Sequence, residues 1–80
     1  MQKGANSMPL TMAGAGNEIV VDVIHGKDET RRFLENLGFV KGTKISVITE
    51  ISGNLIVNVR DTRVAVSRAM ANRIMVNQAQ

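Results

Sequence analysis

From Glu18 onward, apolar side chains return at every second position. Ile19, Val21 and Val23 fall on one face of an extended segment, and Val20, Asp22 and Ile24 on the other. The pattern recurs over Thr43–Ile51, where Ile45, Val47 and Ile51 share a face with Thr49. It returns over Leu55–Arg60, where Leu55, Val57 and Val59 oppose Ile56, Asn58 and Arg60. A period of two in β-branched residues marks half-buried strands. Ser52-Gly53-Asn54 predicts a hairpin turn between the last two, and Asp61-Thr62 a second tight connection into a strand at Arg63–Val66. Consecutive strands with tight turns form an antiparallel meander, and so few residues must curl it around a single core.

One helix interrupts the meander. Lys27-Asp28-Glu29 opens it with acids in the first turn, where the macrodipole favours them. Phe33, Leu34 and Leu37 form its apolar stripe, which places both phenylalanines of the chain, Phe33 and Phe39, in the core. Asp28 is spaced to pair with Arg32. Gly38 stands where a left-handed residue ends a helix, and Phe39 follows at the position that touches Leu34 in a Schellman ending. Lys41-Gly42 then turns the chain into the next strand. Ser67 is a good N-cap for a second, short helix carrying Ala69, Met70 and Ile74, with a last strand at Met75–Asn77. The expected fold is mainly β: a small, partly open barrel of about five strands with an inserted α-helix (residues 28–37) and a short C-terminal helix (residues 67–74). Eighty residues make one domain, expected over 8–80, with 1–7 a flexible N-terminal extension.

The composition excludes more chemistry than it supports. The chain is 44% hydrophobic and 21% charged, too apolar for a disordered tail and too charged for a membrane span. It contains no cysteine, so disulfides and Cys-based zinc sites are ruled out. The N-terminus has no apolar block of a secretory signal, and cytoplasm is the expected compartment. His25 is the lone histidine, which leaves no base for a hydrolytic triad. His25, Asp28 and Glu29 are hard ligands on one short segment, but a solvated loop leading into an acidic helix turn accounts for all three. The run Ala13-Gly14-Ala15-Gly16 has no Gly-Lys-Ser/Thr after it and reads as a turn. No catalytic, cofactor-binding or metal-binding residue is assigned, no cofactor is expected, and the chain does not read as an enzyme. The net charge is +3, yet acids stand beside bases in Lys27–Arg32 and Arg60–Arg63, as on a mixed solvated surface. Arg60, Arg63, Arg68 and Arg73 are candidates for a phosphate-binding patch, but the chain lacks the aromatic platforms of single-strand binders. Such a module acts by docking onto another molecule.

The segment ETRRFLENLGFVKGTKISVI, Glu29–Ile48, resembles the FeoA family, whose helix ends in Leu-Gly-Phe or Leu-Gly-Met, then two residues, Gly and a strand. Leu37, Gly38, Phe39 and Gly42 match that pattern. Met8–Gly16 is similar to the family's Pro-Leu start, and Val57–Val76 to its closing hairpin and short helix, through Val66, Ser67, Ala71 and Ile74. Asp61 and Met70 depart from the usual glycine and acid at those places. The resemblance spans Met8–Val76. It implies an SH3-like barrel and a non-enzymatic, cytoplasmic accessory of bacterial ferrous iron uptake. The implied partner is FeoB, a membrane transporter with a GTP-binding domain. The same module is similar to the C-terminal domain of diphtheria-toxin-repressor-type metalloregulators, so a free-standing repressor-like module and a basic nucleic-acid-binding barrel stand as alternatives. The expected contact surface is the helix–strand corner: Leu37, Gly38, Phe39 and Val40, flanked by Arg31, Arg32 and Lys41. Leu37 and Phe39, taken singly, also fit the core. Exposed strand edges in a partly open barrel predict self-association as well.

Overall fold

The computed structural model describes residues 7–79. Residues 1–6, nearly all of the expected extension, lie outside that range. Six antiparallel strands form one sheet: β1 (Met8–Pro9), β2 (Glu18–Ile24), β3 (Lys44–Ile51), β4 (Asn54–Val59), β5 (Thr62–Ser67) and β6 (Ile74–Gln78). Their spatial order is β1-β6-β2-β3-β4-β5. Two helices are added, α1 (Asp28–Asn36) between β2 and β3 and α2 (Arg68–Ala71) between β5 and β6. This is the mainly β, helix-inserted architecture the alternation predicts, with one strand more.

The extra strand belongs to a segment without periodicity. β1 pairs with β6 through Met8 and Pro9, and a 3₁₀ turn at Leu10–Met12 then drives Leu10 fully into the core. Among the described residues the terminal strands β1 and β5 do not pair. The 3₁₀ turn and α2 meet instead, and Thr11 Oγ1 donates to Asn72 Oδ1 at 2.6 Å. That contact closes one end of the curled sheet over Leu10, Ala71, Ile74 and Val76, all fully buried.

Two bulges revise the predicted faces. β2 alternates correctly through Ile19 and Val21, but its pairing with β6 slips between Val21 and Val23. An extra residue in one strand reverses which side the following residues face. Val23 is therefore 44% exposed and Ile24 is buried, the opposite of the simple reading. β3 slips against β4 between Val47 and Thr49, so Ile45 and Val47 are buried while Ile51 is exposed. β4 has no slip within it, and Leu55, Val57 and Val59 all point inward.

The turns and helices need smaller corrections. Ser52 and Gly53 both carry positive φ, 51° and 80°, the backbone a two-residue hairpin requires. The next hairpin turns at Arg60-Asp61 rather than Asp61-Thr62, with Arg60 at φ 54°. Asp28 pairs with Arg31 at 2.7 Å, one residue short of Arg32. α2 ends at Ala71, which is buried while Ala69 is exposed, and Ile74 already belongs to β6. Ser67 caps α2 as expected, its Oγ accepting from the Met70 N–H at 3.2 Å. Phe33 is 51% exposed. A nine-residue helix lying on a small sheet buries a narrow stripe, and here Leu34 takes it.

Candidate docking site at the helix–strand corner

The corner is built from backbone geometry first. The Gly38 N–H donates to the Glu35 carbonyl at 2.9 Å and the Phe39 N–H to the Leu34 carbonyl at 3.1 Å. These are the two bonds of a Schellman ending, with Gly38 at φ 110°. Phe39 and Leu34 are both fully buried and share the main core. The position admits no side chain. A Cβ on Gly38 would stand 2.7 Å from Val59 Cγ1. After the corner, Gly42 at φ 91° returns the chain to β2: its N–H donates to the Val21 carbonyl at 2.8 Å, and the Val21 N–H to the Thr43 carbonyl at 3.0 Å.

Beyond Val20 the pairing of β2 with β3 ends, while α1 and the corner stand off from the bulged end of β2. The space between is a cleft of about 210 Å³, lined by Val21, Asp22, Val23, Ile24, Arg31, Glu35, Phe39 and Lys41. Phe39 closes the core behind it, and Val23 supplies exposed apolar surface at the bulge. The polar lining holds two acids and two bases. Arg31 is engaged by Asp28. Asp22 Oδ2 accepts from Ser7 Oγ at 2.6 Å, and the same hydroxyl lies 3.3 Å from Asn77 Oδ1. Glu35 and Lys41 make no ion pair among the described residues.

Of the predicted surface, the structure brings Arg31, Phe39 and Lys41 to this cleft. Arg32 is exposed but is not among the lining residues. Leu37 packs against the core, half-buried; Gly38 and Val40 are also half-buried and contribute the bend rather than the lining. Sequence reasoning missed the β2 wall and Glu35. Its one signal was Asp22, a carboxylate inside an otherwise apolar strand. Elsewhere, His25, Asp28 and Glu29 are exposed, and among the described residues no three His, Asp or Glu side chains converge in a metal-holding group. The four arginines considered for phosphate binding sit on separate elements. Arg60 stands in the β4–β5 turn and Arg63 in β5 just after it, Arg68 pairs with Glu50 at 2.8 Å, and Arg73 lies beside Gly26.

A model of the FeoA domain matches residues 8–78. The chain belongs to the FeoA family. A protein from Methanocaldococcus jannaschii, named as a candidate Fe(2+) transport protein A, is 31% identical over 72 residues, covering 90% of this chain and 88% of that one. The crystal structure of Stenotrophomonas maltophilia FeoA complexed with zinc superposes with a TM-score of 0.77 at 30% identity, covering 88% of this chain and 89% of that one. It is described as a prokaryotic SH3 domain protein with a candidate role as a ferrous iron transport activating factor. The open, six-stranded sheet of this FeoA-family chain is the same SH3-like fold. T. acidophilum IdeR shares the fold alone, at a TM-score of 0.84 and 18% identity, over 99% of this chain and 37% of that one. Among the described residues no helix is long and apolar enough to cross a membrane.

Proposed function

We propose that this FeoA-family chain is a non-enzymatic, cytoplasmic accessory of ferrous iron uptake that docks on a FeoB-type GTP-dependent Fe²⁺ transporter through its helix–strand corner. Family membership supports the transport role, and the cleft between α1 and β2 supports the place. It pairs exposed apolar surface at Val23 with a charged rim, the arrangement of a small protein-binding site. The single observation that carries the reading is convergence. The family's Leu-Gly-Phe corner and the bulge of β2 meet at one concave surface, where Lys41 and Glu35 have no ion-pair partner in the described chain.

The structure also selects the probe. Leu37 packs on the core, so Leu37→Asp would weaken the fold together with any docking. Arg31 and Lys41 are exposed, and reversing both charges leaves the core untouched. Binding of full-length chain to the purified transporter, read by surface plasmon resonance, is expected to weaken about tenfold in Arg31→Glu/Lys41→Glu, chiefly through the association rate. Wild type that does not bind the transporter sinks the proposal, and a double variant that binds equally well sinks the assigned face. GTP turnover measured alongside separates roles: a change on adding wild type makes the chain a regulator, and constancy makes it an assembly factor.

A further inference from the structure

The outer edge of β5 has no partner among the described residues. The two edges of the sheet are unlike. β1 is two residues long and ends at Pro9, which has no N–H to offer a further strand. β5 runs for six residues without proline, glycine or any slip in its pairing to β4. Its phase is set by two contacts. Thr62 pairs with Val59 across the two-residue turn, and the Arg68 N–H donates to the Gly53 carbonyl at 3.2 Å. Even-numbered residues therefore turn their backbone groups toward β4, while Arg63, Ala65 and Ser67 turn an N–H and a C=O outward. A row of unpaired groups like this one templates another extended strand.

We propose that a second copy of this chain occupies the edge, β5 against β5, in two-fold antiparallel pairing centred on Ala65. With the axis set in a hydrogen-bonded pair, the side chains choose among the three possible centres, Arg63, Ala65 and Ser67. Centring on Arg63 would set two guanidinium groups directly opposite each other, which is destabilising. Centring on Ser67 would run each strand into the α2 helix of the other copy. Centring on Ala65 pairs Arg63–Ser67 throughout, with Arg63 opposite Ser67 and the half-buried Val64 opposite the buried Val66. The small side chain then sits at the axis. The product is a continuous twelve-stranded sheet. Because β2 lies three strands in from β5, both corner clefts remain open. One strand pair is a small interface, so the dimer belongs to the weak, concentration-dependent class.

Sedimentation equilibrium of the full chain over a dilution series tests this. The mass is expected to rise from 8.7 kDa toward twice that value as concentration increases. Ala65 is exposed, so Ala65→Lys and Ala65→Glu should keep the native circular dichroism spectrum. Each puts like charges at the axis and stays monomeric, and an equimolar mixture of the two regains the dimer. The chain has no cysteine, so Ala65→Cys should oxidise to a covalent dimer. A hydrogen-bonded antiparallel pair holds its Cα atoms about 5.5 Å apart, within disulfide reach. Wild type that remains at 8.7 kDa, single variants that still dimerise, a mixture that does not recover, or an Ala65→Cys chain that yields no covalent dimer each overturns the proposal. None of these measurements involves the transporter, so the outcome is independent of the docking role.

Discussion

Gly38 is where local chemistry and tertiary packing demand the same residue. Its φ of 110° excludes side chains by backbone sterics, and Val59 excludes them a second time from across the core. Gly42 supplies the control, with φ 91° and open space where a Cβ would go. Urea denaturation should therefore show Gly42→Ala losing about 1–2 kcal/mol from backbone strain alone, and Gly38→Ala about 2–4 kcal/mol from strain plus overpacking. Equal losses at the two sites would mean that the Val59 contact contributes nothing. The sequence made Gly38 legible as a helix stop, because Leu-Gly-Phe after an amphipathic run has few other readings. It did not make the two phenylalanines distinguishable. Phe39 is pulled fully inside by the Schellman turn, whereas Phe33 lies on the flank of α1 that the sheet does not reach.

Elements behave as their periodicity predicts until a bulge intervenes. β4 has no slip within it, and the period-two reading assigned every one of its inward residues. β2 and β3 each carry a slip, and in both the reading fails from that residue onward. A bulge is set by pairing with a neighbour strand, so the residues of one strand carry almost no trace of it. In β2 the bulge also makes the site, since it turns Val23 outward and leaves Asp22 at the cleft, held by Ser7. Deleting Asp22 should restore simple alternation, with Ile19, Val21 and Ile24 inward and Val20 and Val23 outward. The shortened chain is expected to keep a cooperative thermal transition by circular dichroism while losing the proposed binding to the transporter. Retained binding would show that the bulge is dispensable to the site.

At the scale of the whole molecule, the sheet is closed not by its own edge strands but by the 3₁₀ turn after β1 and the short helix after β5. Leu10 fills the closed end and is fully buried, although it sits in a stretch where no periodicity announces a core residue. Leu→Ala at such a site costs about 2–5 kcal/mol, against a total stability of about 4–12 kcal/mol for a chain of this length. Leu10→Ala should therefore lower the urea midpoint by a large fraction of its value, and an unchanged midpoint would show that the 3₁₀ turn is not part of the cooperative unit. The amino-acid order by itself determined whatever neighbours along the chain enforce: strand periods, the Schellman corner, the Ser67 cap and the Ser52-Gly53 hairpin. Tertiary structure alone decided the bulges, the burial of Leu10, the exposure of Phe33 and the cleft. Each of these depends on which residues from distant segments come to lie side by side, and side-chain faces are assigned by those partners rather than by the strand that bears them.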